Sequence, residues 1–154
     1  MLTDSPLLDE LRKTVSSAAP RIQKLKVIAA LIRNSGNYRW VGLYQIDERV
    51  GEVINLVWDG PGAPKYPRFP IGKGLTGAAI QEGRAINVGD VFSDPRYLTA
   101  FGSTRSEIIV PILDERRGKT VGTIDVESER VNAFDSDTEK ALVACADVIA
   151  FLWR

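Results

Sequence analysis

Apolar residues recur at helical spacing near both ends of the chain. Leu7, Leu8, Leu11 and Val15 predict a helix over about residues 6–19. A second helix should begin at Pro20, where the missing N–H costs nothing, and end in the polar segment 34–37. The last helix should start at the capping-box pattern SDTE at residues 136–139. Its apolar face is wider than one core contact needs, which predicts a second buried face against another helix or a partner subunit.

Short segments between these helices show the composition of β-strands. Residues 38–47 carry apolar groups on both alternating faces, which is typical of a central strand covered on both sides. Further strands are predicted at 52–58, 85–88, 107–113 and 120–127, the last two as a hairpin whose turn contains Gly118. Residues 59–70 contain four prolines and two glycines, which predicts a shaped loop. A glycine-rich run at 71–77 should lead into a short helix at 78–82.

Length and charge narrow the class of protein. A chain of 154 residues suits one domain, here expected to comprise N-terminal helices (1–35), sheet and pocket loops (38–128) and a C-terminal helix (135–153). Twenty basic residues balance twenty acidic ones, so the chain lacks the positive field expected of a nucleic-acid partner. The start of the chain shows no signal-peptide pattern and no apolar run is long enough to span a membrane, so we expect a cytoplasmic protein.

Two residue counts limit the chemistry. The chain contains no histidine, which excludes a Ser-His-Asp triad, a Cys-His pair and histidine-ligated metals. Its single cysteine, Cys145, cannot form an internal disulfide, which fits a reducing compartment. We therefore expect no metal site and no cofactor.

Four motifs in order identify a family resemblance. They are WVGLY at residues 40–44, GKGLTG at 72–77, SEIIVP at 106–111 and GTIDVES at 122–128. From about residue 22 onward the sequence resembles a GAF domain, and within that superfamily it is most similar to the free methionine-(R)-sulfoxide reductases. The resemblance implies an α+β fold with a central antiparallel sheet of about six strands. The N- and C-terminal helices would cover one face, and a loop-covered ligand pocket would lie on the other. It also implies a small-molecule ligand and a homodimer formed through the terminal helices.

The reductase chemistry implied by that resemblance needs thiols that this sequence lacks. A thiolate attacks the sulfoxide sulfur and a second thiol resolves the intermediate. The positions of the family's cysteines fall on Thr76, on or near Tyr66, and on Ala100. Cys145 lies in an apolar helix far along the sequence, where packing is the expected role. We therefore expect no catalytic residue and no thiol-based methionine sulfoxide reduction.

The polar positions of the family's pocket are retained better. Trp40, Glu107 and Asp125 match the ligand-contacting positions that the resemblance implies, and Glu127 stands where the family has aspartate. With two positions that replace cysteines, the candidate ligand-binding set is Trp40, Tyr66, Thr76, Glu107, Asp125 and Glu127.

The acidic residues also have other interpretations. Asp125 and Glu127 are two apart in a strand and point to one face, which could simply face water. Glu107 shares its predicted face with Ile109 and Leu113, so it is expected to be partly desolvated, although it could instead cap a loop N–H. If the three acids converge, mutual repulsion would raise at least one pKa and favour an ammonium or guanidinium ligand. A divalent cation is a lesser alternative, because no calcium-loop pattern is present.

Two further patterns have structural as well as functional interpretations. Trp40 and Tyr44 share a face and could simply pack in the core, or Trp40 could form an aromatic wall beside the acids. Lys73 between two glycines could bind phosphate at a helix start, but the run lacks P-loop spacing. A tight turn that admits Leu75 and Ile80 to the core explains these glycines better.

The sequence thus favours a non-enzymatic sensor or signalling domain that binds an amine-bearing metabolite, such as an amino acid or its derivative. Two alternatives remain open at this stage. One is a divergent reductase-like enzyme in which a desolvated acid, not a thiol, carries the chemistry. The other is an interaction module with a vestigial pocket.

Overall fold

The computed structural model describes residues 5–98 and 101–154 and contains one six-stranded antiparallel sheet. The spatial order of the strands is β3-β2-β1-β6-β5-β4, so β1 and β6 are central. The strands are β1 (Trp40–Asp47), β2 (Glu52–Asp59), β3 (Arg68–Pro70), β4 (Ile86–Val88), β5 (Ser106–Asp114) and β6 (Lys119–Ser128). The predicted α+β fold with a sheet of about six strands is confirmed.

Helices cover one face of this sheet. Of the α-helices in the described residues, α1 (Pro6–Ser16), α2 (Arg21–Gly36) and α4 (Ser136–Ile149) lie on this face, and α3 (Gly74–Glu82) lies on the other. Helices α2 and α4 pack on the strands, and α1 packs against both of them. The main core lies between these helices and the inward residues of β1, β5 and β6, including Val41, Leu43, Ile108, Val110, Ile124 and Val126. Helix α4 therefore meets α1 through part of its broad apolar face, as the pattern predicted.

Four local features differ from the sequence expectations. Helix α3 begins at Gly74, inside the glycine-rich run, and not at residue 78. Segment 59–70, expected to be a loop throughout, ends in the short edge strand β3, where Pro70 costs little because an edge strand has a row of unpaired groups. Helix α4 is capped by Asp135, not by Ser136: the Asp135 carboxylate accepts a hydrogen bond from the Thr138 N–H at 2.8 Å. Leu113 does not share the buried face of Glu107, because a bulge after Ile112 shifts the register and leaves Leu113 exposed.

The opposite face of the sheet carries the polar residues. Period-2 alternation sends Val41 and Leu43 of β1 toward the helices, while Trp40 and Tyr44 point to the other face. The loops around α3 and the segment before β5 cover this second face. The sheet thus separates an apolar core from a polar compartment under the loops.

Candidate functional site

Three carboxyl groups meet on the loop-covered face of the sheet. Glu107 of β5 is directly opposite Glu127 of β6, and Asp125 lies two residues before Glu127 on the same face. Directly opposed side chains in an antiparallel pair have Cβ atoms about 5 Å apart. All three residues are buried, with 7%, 8% and 1% exposure for Glu107, Asp125 and Glu127. The alternative in which these acids face water is therefore wrong.

Glu107 and Asp125 share a hydrogen bond between their carboxyl groups. Two carboxylates are both acceptors, so this bond requires a proton on one of them. Burial, followed by the charges of Asp125 and Glu127, raises the pKa of Glu107 well above its usual value. Burial also raises the pKa of Asp125 to about 7, although the hydrogen bond from Glu107 acts in the opposite direction. Glu107 is therefore the expected proton donor of the pair.

Glu127 lies deeper than the other two acids. Its Oε1 accepts a hydrogen bond from the Thr104 hydroxyl at 2.9 Å, and the nearby side chain of Tyr97 also acts to lower the Glu127 pKa. Burial and the charge of Asp125 raise its pKa to about 8 despite these interactions and the more distant guanidinium of Arg39. Its Oε2 is buried and has no hydrogen-bond partner among the described residues.

A cavity of about 40 Å³ lies above Glu107 and Asp125. In this measure one water needs about 10–15 Å³, so the cavity holds a few waters or one small ammonium group. Its lining comes from β1, the 59–70 segment, the turn into α3, the segment before β5, and strands β5 and β6. The lining residues are Tyr44, Pro64, Tyr66, Phe69, Lys73, Gly74, Leu75, Thr76, Leu98, Glu107 and Asp125.

The structure brings four of the six candidate residues to this cavity. Tyr66, Thr76, Glu107 and Asp125 line it, whereas Trp40 and Glu127 do not. The charge of Glu127 acts on Glu107, and the charge of Asp125 acts on Glu127.

Trp40 forms a wall behind the compartment. Its indole Nε1 donates to the Gly62 carbonyl at 3.0 Å, and its ring packs near Tyr44 and Phe101. A Cβ on Gly42 would lie 2.2 Å from the Trp40 ring, so the WVGLY motif uses its glycine to seat the indole flat on the strand.

Several lining residues escaped the sequence interpretation. Phe69, Pro64 and Leu98 come from loop segments whose positions no periodic pattern reveals. Tyr44 had a findable signal, because it shares a strand face with Trp40 and pairs across from Thr123, two residues before Asp125. The Tyr44 pKa is raised well above its usual value by burial and by all three acids.

The turn before α3 explains its glycines without a phosphate site. Gly72 and Gly74 have φ values of 99° and 67°, which favour glycine. A Cβ on Gly77 would lie 2.3 Å from the backbone of Gly72, so the turn is closed tightly on the helix. Leu75 is buried as a result, and Ile80 is partly buried.

The thiol positions have no thiol in the described residues. Thr76 and Tyr66 line the cavity, and Ala100 lies outside the described residues. Cys145 is fully buried in the helix-side core, on the opposite face of the sheet, where burial raises its pKa to about 12. A thiol held neutral in that core cannot act as a nucleophile in the cavity.

The described residues contain neither a cluster of metal ligands nor a helix that could cross a membrane. Within residues 5–98 and 101–154, no group of three or more acidic or cysteine side chains is placed to hold a metal ion. Over the same ranges, the helices are all too short or too polar to cross a membrane.

The protein is an α+β domain with a loop-covered, acid-lined cavity. The GAF domain profile matches residues 20–152. The chain belongs to the GAF domain family.

Two proteins are similar to this chain in sequence, and a reductase structure is similar to it in fold. GAF domain-containing protein A of Dictyostelium discoideum is 29% identical over 136 residues, which cover 88% of this chain and 83% of that protein. Protein YtsP of Bacillus subtilis is 30% identical over 146 residues, which cover 93% and 86%. The crystal structure of free methionine-R-sulfoxide reductase from Neisseria meningitidis with its substrate is 28% identical, with a TM-score of 0.87 over 96% of this chain and 86% of that one.

Proposed function

We propose that this chain is a small-molecule-binding sensor or signalling domain whose ligand carries a free amine. The observation that supports the proposal is the pair of buried acids at the cavity floor. Asp125 Oδ1 is buried without a hydrogen-bond partner among the described residues, and its carboxyl group lines the cavity. A buried acid without a cation is unfavourable, so a ligand ammonium group would supply the missing charge and donors.

The described residues provide no cation that fills this role. Lys73 lines the cavity but forms no ion pair with a carboxylate in ranges 5–98 and 101–154. Arg39, the guanidinium that acts on Glu127, is paired with Glu129 at 3.1 Å. The pair formed by Glu107 and Asp125 therefore has no cation among the described residues, and an ammonium group from outside would supply one.

The rest of the lining favours an amino acid over a simple amine. Lys73 stands at the N-terminal end of α3, where backbone N–H groups and the helix dipole also attract anions. A ligand carboxylate at this end would lie across the cavity from the acids. Phe69, Leu75 and Leu98 then offer contacts for an apolar side chain.

A whole amino acid requires more space than the present cavity provides. Ligand pockets for small molecules commonly measure several hundred Å³. The loop residues Pro64, Tyr66 and Leu98 border the cavity, so their outward displacement would enlarge it. We expect the bound structure to differ from this one mainly in segments 59–67 and 94–98.

Isothermal titration with free amino acids and with methionine sulfoxide tests the proposal. The sulfoxide is included because the Neisseria relative is a free methionine-R-sulfoxide reductase. N-acetyl derivatives of the same compounds are the matched ligand controls, since they lack the free amine. We expect heat from at least one free compound and none from its acetylated form. Absence of heat from all of them, with a folded protein, would remove the amine-ligand claim.

Paired variants separate the site from general effects. Glu107→Gln removes one of the two carboxyl groups at the cavity floor and should abolish any binding found. Glu82→Gln changes an exposed acid at the end of α3, which is paired with Arg84, and should leave binding unchanged. Equal affinities in the two variants would contradict the assigned role of Glu107.

The proposal includes a homodimer formed through the terminal helices. Val27 of α2, Val143 of α4 and the adjacent Phe151 are exposed apolar side chains, which is consistent with a contact there. Sedimentation equilibrium of the wild type and of Phe151→Glu would test it, and a monomeric wild type would refute it.

A further inference from the structure

The acids of the cavity form a proton-holding cluster. Glu107 and Asp125 share a hydrogen bond that requires a proton, and Glu127 lies directly opposite Glu107 on the adjacent strand. Asp125 Oδ1 and Glu127 Oε2 are both buried without partners among the described residues. The cavity floor therefore has carboxyl oxygens that can still accept hydrogen bonds. Its negative charge stays low only while protons remain bound to the cluster.

Groups from each surrounding element define the charge that this cluster experiences. Tyr44 faces it from β1, Lys73 from the turn before α3, and Tyr97 from the segment before β5. Arg39 acts on Glu127 from the start of β1. Lys73 is exposed at the mouth of the cavity, and Arg39 is paired with Glu129. Neither side chain therefore replaces the protons on the acids at the cavity floor.

We propose that the cavity takes up its cationic ligand in exchange for a proton from the Glu107–Asp125 pair. This inference rests on the proposed function, because the exchange occurs in the same cavity. An ammonium group approaches Asp125 Oδ1 and donates to it. The shared proton leaves the pair for bulk water, and the two carboxylates then hold the ammonium group by charge-assisted hydrogen bonds. No covalent bond forms, and the net charge of the site with its ligand is the same before and after.

The absence of histidine makes this exchange directly measurable. Histidine is the usual side chain that titrates between pH 5 and 8, and this chain contains none. Burial raises the pKa of Asp125 to about 7 and that of Glu127 to about 8, which places the cluster in a range where few other groups titrate. Proton uptake by the folded chain near neutral pH thus reports mainly on the cluster.

Exchange of one proton has a defined consequence for affinity. Below the pKa of the acid that must ionise, the apparent affinity for the cation should fall about tenfold for each unit of decreasing pH. Above that pKa the affinity should become independent of pH. A ligand that binds without displacing a proton would show neither behaviour.

The first measurement needs no variant and no ligand. Potentiometric titration of the wild type is compared between the folded protein and the same protein in urea, from pH 5 to 9. We expect the folded chain to hold about two to three additional protons near pH 7, because Glu107 and Glu127 remain mostly protonated and Asp125 about half protonated where unfolded acids are ionised. Superimposed curves in this range would overturn the proposal.

The second measurement uses methylammonium chloride as the probe, since its cation suits a cavity of about 40 Å³. The folded protein is titrated in methylammonium chloride and in sodium chloride of equal ionic strength. We expect methylammonium to release about one proton per chain at pH 7 and to move the titration midpoint to lower pH. Asp125→Asn should lose this release, whereas Glu129→Gln, an exposed acid two residues beyond Glu127, should keep it. Identical curves in the two salts would refute the exchange.

These outcomes are distinct from failure of the proposed function. Proton release by methylammonium without binding of any free amino acid would retain the exchange and remove the amino-acid ligand. Amino-acid binding whose heat is the same in two buffers of different ionisation enthalpy would retain the ligand and overturn the exchange.

Discussion

Replacement of Glu127 by glutamine tests whether the fold holds a protonated acid beneath the cavity. The pKa of Glu127 is raised from its usual 4.5 to about 8, chiefly by burial. Between these two pH values the folded chain keeps a proton that the unfolded chain has released. The contribution of this group to stability is therefore present at low pH and is lost as pH rises through the folded pKa.

The size of the effect follows from the pKa difference. One pKa unit corresponds to about 1.4 kcal/mol, so Glu127 alone should reduce the free energy of unfolding of the wild type by on the order of 4 kcal/mol between pH 5 and pH 8. Typical domains are stable by only about 5–15 kcal/mol, so this loss would be conspicuous.

The difference in free energy of unfolding between Glu127→Gln and the wild type should change sign between pH 5 and pH 8. At pH 5 the variant should be less stable than the wild type by about 1 kcal/mol, because its amide places a buried N–H₂ where Oε2 has no partner. At pH 8 it should be more stable by about 2–3 kcal/mol, because it has no charge to bury. The Thr104 hydroxyl can still donate to the glutamine oxygen.

Urea unfolding monitored by tryptophan fluorescence at pH 5, 6.5 and 8 measures these differences. Glu129→Gln is the matched control: this exposed acid pairs with Arg39, and its loss should alter stability by less than about 1 kcal/mol at every pH. A wild type whose stability is level or rises from pH 5 to 8 would refute the reasoning. A glutamine variant with the same pH dependence as the wild type would do so as well.

Two further predictions concern the opposite side of the sheet. Because burial raises the pKa of Cys145 to about 12, the purified protein should show no thiol-dependent turnover of free methionine sulfoxide. For the same reason, iodoacetamide should modify Cys145 only after unfolding. Turnover that Cys145→Ser abolishes would contradict this prediction. Asp135→Ala should lower the free energy of unfolding by about 1 kcal/mol because Asp135 caps α4, whereas Ser136→Ala should have little effect. Urea unfolding of both variants measures these changes. A larger loss of stability in Ser136→Ala than in Asp135→Ala would support the capping box instead.

The sequence anticipated much of the fold because its elements follow simple periodicities. Alternation along β6 assigned Asp125 and Glu127 to one face, and the paired register of β5 and β6, which only the structure shows, places Glu107 beside them. The four ordered motifs identified the family. The short strand β3 was not predicted, because it lies at the end of a proline-rich segment whose composition favours a loop.

The candidate site was only partly predictable. Four of the six proposed residues line the cavity, but Trp40 packs behind it and Glu127 lies deeper. Strand alternation predicts which face of the sheet a side chain occupies. It does not predict how much space the covering loops leave above that side chain. Phe69 and Leu98 reach the cavity through such loops, so no local pattern could have included them.

The sequence by itself determined that this protein has no thiol at the family's cysteine positions and no histidine anywhere, because residue identity needs no coordinates. It also determined which faces of the helices and strands are apolar, since backbone geometry sets side-chain direction within each element. Only the tertiary structure decided that three acids are buried together with no cation beside them among residues 5–98 and 101–154. That property depends on strand register and on loops distant in sequence, which together remove water from the carboxyl groups and so raise their pKa values.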